Sequence, residues 1–184
     1  MKYNIRLVQC SRTNVEYKDI RDRHYVENHG CIGRQCHYLV YIDECEKPVG
    51  VISGASAVWA CKPRDDFFNI NKDNRKSKIN KIICNVVFRL EYNKPNLGSQ
   101  ILSKWRKQIL IDWEEKYHDN VLGFETFIFG ENRFGCLYKA DNWVYCGDTK
   151  GSAKFKPHGA YGVGLRVKTD IKMCFCKGIK GVTR

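Results

Sequence analysis

The sequence has no apolar run of the roughly 18 residues that a membrane-spanning helix needs, so no bilayer span is expected. Its first residues, MKYNIRLVQC, lack a long apolar segment and a small-residue cleavage site, so no secretory signal is expected either. No internal repeat is visible. Acidic residues are scarce beside basic ones, 20 against 32, which leaves a formal net charge of +12. Such an excess points to a polyanion, an anionic cofactor or both, with solubility as the plain alternative. Core material is not lacking. Apolar residues make up 43% of 184 and aromatics 12%, which suits one domain, or one domain plus an arm, and excludes broad disorder. Ten cysteines are enough for a disulfide framework. Without a signal they point instead to a reducing, cytoplasmic setting and to buried free thiols such as Cys61 and Cys84. No strong zinc spacing is present: His24, His29, Cys31, Cys36 and His37 form a loose group, and Cys174-x-Cys176 lacks a second pair. No metal is expected.

Periodicity gives the element order. YNIRLVQ alternates as a first strand. A helix follows, capped by Thr13 or Asn14 and ended by Gly30. Cys36 to Asp43 and VGVISGASAVWA read as a hairpin, with a glycine bend at Gly54. Lys62 to Lys78 is a polar interruption with a short helical piece. INKIICNVVFRLEY is the clearest long strand, with Val87, Arg89 and Glu91 on one face. Leu97, Ile101, Trp105, Ile109, Trp113 and Tyr117 recur every four residues, the mark of an amphipathic helix with Asn96 as its N-cap. VLGFETFIF is a strand, RFGCLYKADN a short helix and WVYCGDT a strand. The fold class is α/β (α+β), a mixed central sheet flanked by helices. Residues 1–150 read as one domain. From Gly147 onward the composition turns basic, nine basic residues against two acidic. Residues 151–184 read as a basic arm, or as a hairpin completing the domain.

That order resembles the GCN5-related N-acetyltransferase superfamily, which the resemblance makes a source of expectations for the site. In that family a glycine turn after the fourth strand grips the pyrophosphate of coenzyme A at a helix start. The matching frame here runs through Asn93, Asn96, Leu97, Gly98 and Ser99, followed by Ile101 and Leu102, and keeps only the last small residue and the apolar pair. Gly135, Tyr138, Lys139, Ala140, Trp143, Tyr145 and Gly147 resemble a segment of the Mom-like phage DNA-modification family, with Asp141 in place of an alanine. The same segment is similar to the DruA-like domain of a bacterial anti-phage system. That likeness extends to Tyr38-Leu39-Val40, Ser56-Ala57-Val58-Trp59, Arg64-Asp65, Asn96 to Ser99, Asp112-Trp113 with Tyr117, and Glu125-Thr126-Phe127. It covers about residues 20 to 150. Phe129 stands where these relatives tend to have an aspartate, so Glu125 or Glu131 is expected to supply the acid.

The Mom-like resemblance implies an enzyme that transfers an acyl or carbamoylmethyl-type group to the N6 amino group of adenine in phage DNA, protecting it from restriction. The donor would be an acyl-CoA, acetyl-CoA among the candidates, or another acyl donor. Arg89, Glu125, Tyr138, His24 and Ser99 are the expected catalytic residues, and Asn96, Leu97, Gly98 and Ser99 the cofactor-binding turn. Tyrosine, with a free pKa near 10, suits an acid that protonates a leaving group, and arginine grips an anion bidentately. The plain alternatives are a salt bridge with Glu91 for Arg89, packing for Tyr138 and helix capping for the turn. Double-stranded DNA is the expected partner. Lys62, Arg64, Lys72, Arg75, Lys76, Lys78, Lys154, Lys156 and Arg166 would follow its phosphates. Tyr25, Trp59, Phe67 and Phe68 would line a pocket for a flipped base, against core packing as the alternative. Two other functions stay open: a non-enzymatic DNA-binding defence module, and an N-acyltransferase for a small molecule or protein. Oligomeric state is open too, a homodimer included.

Overall fold

The computed structural model describes residues 2–26, 33–92, 94–129, 133–155 and 165–179. In chain order the elements are β1 (Ile5–Cys10), α1 (Val15–Asp22), β2 (Gln35–Ile42), β3 (Gly50–Ser56), α2 (Lys62–Phe67), α3 (Arg75–Ile79) and β4 (Ile82–Leu90). They continue with α4 (Leu97–Tyr117), β5 (Gly123–Ile128), α5 (Cys136–Ala140), β6 (Val144–Asp148), β7 (Ser152–Phe155), β8 (Leu165–Lys168) and β9 (Met173–Gly178). Seven strands form one sheet in the order β1-β2-β3-β4-β5-β9-β6, and β7 and β8 pair separately. Only β4 and β5 are parallel; the other neighbours in the sheet run antiparallel. Among the described residues no helix is long and apolar enough to cross a membrane.

The two faces of the sheet are covered by different helices. Asn14 caps α1, its Oδ1 accepting the Tyr17 amide at 2.9 Å. Tyr17 and Ile20 then pack on Leu39, Val51 and Val87. On the other face α4 lays its four-residue stripe, Leu97, Ile101, Trp105, Ile109 and Trp113, into the main core. Gly54 is what lets α4 lie so close. A Cβ there would come within 2.4 Å of Ile109 and 2.7 Å of Ile83. The helix stops at His118, whose left-handed backbone (φ 54°) turns its amide back to Glu114.

Several expectations shift. The first helix ends at Asp22, with Arg23 as its C-cap, well before Gly30. The polar interruption holds two short helices, α2 and α3, and the long strand begins only at Ile82. Asn96 stands at the N-cap position of α4 but makes no side-chain capping bond. The described part of the tail is woven into the sheet: β9 lies between β5 and β6.

Candidate active site

The site begins with a sheet that divides. β4 and β5 stay paired only from Ile82–Gly123 to Asn85–Thr126. Beyond that point β4 runs on to Leu90 beside β3 alone, and β5 runs on to Ile128 beside β9 alone. A bulge starts the parting. Ser53 pairs with Val87 and Gly54 with Asn85, so Val86 is the extra residue, and extra residues bend and twist a strand. Among the described residues the two inner edges past the crotch therefore carry backbone amides and carbonyls with no strand partner.

Polar side chains gather at the crotch. Tyr138 on α5 donates its hydroxyl to Asn85 Oδ1 at 2.6 Å. Asn85 is held in turn, its Nδ2 donating to the carbonyls of Ser53 at 3.0 Å and Val87 at 3.2 Å. Thr126 Oγ1 donates to the Asn85 carbonyl at 3.0 Å and lies 3.4 Å from the Tyr138 hydroxyl. Burial pushes the Tyr138 hydroxyl far above its usual range, so it keeps its proton at neutral pH and acts as a donor.

A second group surrounds the mouth. His24, just after α1, reaches the backbone of Phe88 on β4, and its ring lies 4.6 Å from that of Tyr25. Tyr25 faces Phe129 at 6.2 Å and carries the Arg133 guanidinium 3.7 Å above its ring, a cation–π contact. Lys172 lies 5.9 Å from the Phe129 ring. Arg89 is held to Glu91 at 3.0 Å and to the Arg23 carbonyl, so the plain alternative of a sheet-surface ion pair describes its contacts. Burial lowers the pKa of His24, helped by the positive charges of Arg89 and Arg133, so its imidazole is neutral at pH 7. Asn85, Thr126, Phe129 and Arg133 are not among the expected catalytic residues. Asn85 alone has a visible signal, a lone amide inside the apolar run IICNVVF.

The cofactor turn is less open than its motif implies. A Cβ at Gly98 would meet Leu137 Cδ1 at 2.6 Å, so this glycine serves the packing of α5 on α4. Leu97 is fully buried. Ser99 donates its hydroxyl to the Asn96 carbonyl at 3.1 Å, within its own turn, which does not fit a catalytic role. What the turn offers a ligand is the first-turn amides of α4. Asn93 and Glu131 lie outside the described residues, as do His29, Cys31 and Lys156.

Several expected residues sit elsewhere. Arg64 cannot follow phosphates, because its side chain is wholly buried and lies 2.6 Å from Glu125. It also binds Asp65 at 2.7 Å and the Val58 carbonyl at 2.8 Å. Glu125 cannot serve as base at the fork. It neighbours Thr126 on a strand and so points to the opposite face, where it pairs with Arg64 and accepts the Val58 amide at 3.0 Å. Burial lifts the Glu125 carboxyl to about 7 against the pull of Arg64. Burial works against the charge on Arg64, but Glu125 and Asp65 outweigh it and push the guanidinium further into its charged form. We read the pair as charged, since each Glu125 oxygen has a donor and the guanidinium has three acceptors.

Phe68 is a core residue beside Ile70 and Ile82, so it cannot stack on a base. Trp59 is exposed, with Arg75 bound to its carbonyl at 2.8 Å, and Phe67 packs edge-on against Phe68. Tyr25 belongs to the fork, so the four do not form one pocket. Lys62 pairs with Asp66 at 2.8 Å and Arg75 with Asp65 at 2.9 Å. Lys78 donates to the Phe68 and Asn69 carbonyls at 3.2 and 3.1 Å. Lys72 and Lys76 are exposed, and Lys154 and Arg166 are register partners in the β7–β8 hairpin. Cys36 packs in the main core, away from His24 at the fork. His37 bonds Tyr17 and Ser53, each at 3.0 Å, on the other face.

Tyr38, Asp112, Tyr117 and Asp141 fasten α4 and α5 to their neighbours. Tyr38 donates to Asp112 at 2.6 Å, and Tyr117 bridges the backbone of Gln35. Asp141, which replaces the motif alanine, takes two bonds from Arg106 at 2.6 and 2.7 Å and one from the Trp143 indole at 2.9 Å.

Comparison with known proteins agrees with this architecture. The family model of the Druantia protein DruA matches residues 1–172. No curated protein matches the sequence. Among solved structures, a GNAT family acetyltransferase from Elizabethkingia anophelis with acetyl-CoA bound superposes with a TM-score of 0.54 at 10% identity, over 96% of this chain and 99% of that one. A GNAT family acetyltransferase from Streptococcus pneumoniae gives 0.53 at 13%, over 97% and 100%. The chain spans 65% of the length of an acetyltransferase from Thermus thermophilus, with 79% of this chain covered, 11% identity and a TM-score of 0.45. The Elizabethkingia and Streptococcus structures, at these identities, establish the fold alone, which is GNAT-like.

Proposed function

We propose, from the premise that this chain belongs to the family of the Druantia protein DruA, that its fork is an acyltransferase site whose acceptor is an adenine amino group in DNA. The observation that carries this reading is the Tyr138 hydroxyl at the parting of β4 and β5, bonded to Asn85 at 2.6 Å. When bound, an acyl-CoA or a related donor would supply an activated acyl carbonyl. The unpartnered inner edges of β4 and β5 fit an extended, amide-bearing arm, and the first-turn amides of α4 suit its phosphates. Tyr138, held protonated, donates to the leaving group. His24, held neutral, accepts the proton of the attacking amine. Arg133 and Arg89 bring positive charge to the mouth, where an anionic acceptor arrives. The net charge of +12 and the exposed Lys72 and Lys76 support a polyanionic acceptor, and the Gly135 to Gly147 segment supports adenine through its likeness to Mom-like proteins.

A second reading, a DNA-binding module without chemistry, draws support from Gly98, whose space is filled by Leu137. Mass analysis of nucleosides from host DNA after expression separates the two. A new adenine adduct that falls about 100-fold or more in Tyr138→Phe and His24→Gln supports the transferase. Unchanged nucleosides with salt-sensitive DNA binding support the module. Saturable acyl-CoA binding without DNA affinity would assign the fork to a small-molecule or protein acceptor.

A further inference from the structure

Behind the fork, on the opposite face of the sheet, four thiols stand in a row. Phe175 faces Tyr138, so its neighbours Cys174 and Cys176 point the other way, beneath α2. Cys61, the residue before α2, places its Sγ 3.9 Å from that of Cys174. Cys174 and Cys176 are 3.8 Å apart, sulfur to sulfur. Half-buried Cys146, on the bulge of β6, hydrogen-bonds Cys176. The nine described cysteines are all free thiols.

This convergence is more than apolar filling requires. Alternate residues of a strand have Cα atoms about 6.6 Å apart, so Cys174 and Cys176 must lean together for their sulfurs to meet. Cys61 descends from another element onto the same point. Arg64, though paired with Glu125 and Asp65, lies near enough for its charge to favour a sulfur anion. Hydrogen bonds from Cys176 and Cys61 hold the Cys174 thiol well below the ordinary thiol range; burial opposes them and Arg64 adds to them.

We propose that Cys61 and Cys174 are a redox modification site, an oxidisable dithiol whose disulfide ties the start of α2 to β9. Of the two pairs whose sulfurs meet, Cys61–Cys174 joins separate elements and Cys174–Cys176 does not. Cys174 and Cys176 share one strand, with a Cα separation near the upper limit of disulfide geometry, about 6.8 Å. Cys61 lies at the start of α2 and retains 7% exposure, the route for a small oxidant. With a hydroperoxide, the Cys174 thiolate attacks one peroxide oxygen, the oxygen–oxygen bond breaks, and hydroxide leaves. The Cys61 sulfur then attacks the resulting sulfenic acid and the sulfur–oxygen bond breaks. The departing oxygen leaves as water with the Cys61 proton, and the hydroxide takes up the proton Cys174 had lost. Two thiols and one hydrogen peroxide become one disulfide and two waters. This site stands apart from the transferase reading, which can fail without affecting it.

The test uses the full chain, treated with hydrogen peroxide, digested without reductant and mapped by mass spectrometry. The expected product is one crosslinked peptide pair containing Cys61 and Cys174, two hydrogens lighter than the reduced pair and reversed by dithiothreitol. It should vanish in Cys61→Ser and persist in Cys176→Ser. Closing a span of 113 residues should raise Tm, on the order of 10 °C, in the oxidised wild type and not in Cys61→Ser. The assignment would be overturned by crosslinks from Cys174 to Cys176 or Cys146 instead. Thiols that react only after unfolding in urea would overturn it as well, and so would a native mass carrying a metal ion lost in the same variants.

Discussion

Replacing Arg64 with methionine removes one partner of an ion pair that water does not reach. Glu125 would stay behind with its carboxylate buried, keeping the Val58 amide and the Cys84 thiol as neutral donors but losing its charged partner. Breaking a buried pair from one side costs about 3–5 kcal/mol, because the remaining charge keeps its desolvation penalty and loses its compensation. For a domain of this size that corresponds to a fall in Tm on the order of 10 °C. The loss should depend on pH. Burial already lifts the folded-state pKa of Glu125 from 4.5 to about 7 with Arg64 opposing it, and without Arg64 it rises further. A carboxyl raised in the folded state adds stability at low pH and loses it as pH climbs through its folded pKa. Urea unfolding should therefore find a larger deficit for Arg64→Met at about pH 8 than at about pH 5, each pKa unit counting for about 1.4 kcal/mol. Arg64→Met combined with Glu125→Leu should recover most of the loss, since no unpaired charge remains. A deficit under about 1 kcal/mol at the higher pH, or one equal at both, would refute the buried-pair account.

Three further outcomes follow from contacts described above. His37 is held neutral by burial, and by the charges of Arg12, Lys116 and Arg21, with its pKa lowered to about 4. Its contribution to stability is present above its unfolded pKa of 6.5 and is lost as pH falls towards 4, by about 3 kcal/mol, which urea unfolding at stepped pH would detect and His37→Asn would flatten. Gly98→Ala forces Leu137 aside and should cost about 1–3 kcal/mol, with Leu137→Ala in the same chain lowering the added cost of the alanine in a double-mutant cycle. Asp141→Ala strips Arg106 and Trp143 of their acceptor and should destabilise by about 2–3 kcal/mol in the same assay.

What was legible in the sequence is what repeats locally. The four-residue spacing of Leu97 to Trp113 needs no partner to be recognised, and α4 lies where that spacing puts it. The strands of the β2–β3 hairpin were visible for the same reason. The fork has no such mark, because no period shows where two strands part. Arg64 was misplaced because its neighbours, RDDFF, have the composition of an exposed loop, while the carboxylate that buries it lies 61 residues away on β5. Glu125 was misassigned through the same missing link. Asp141 looked like a flaw in a motif and proves to be an anchor, since its partner Arg106 arrives from another helix. Charge counted along a chain cannot tell a solvated cation from one already spoken for, and Lys62, Arg75 and Lys78 all have partners within their own neighbourhood.

Placing β9 between β5 and β6 orders events during synthesis. Among the described residues β6 has no neighbour in the sheet but β9, and β5 has no other on that side. Until residues 173–178 have left the ribosome, both strands present bare hydrogen-bonding edges, to which a second nascent chain could pair. A chain cut before Met173 would lose more than its last strand, since β6 would be cast off from the sheet with it.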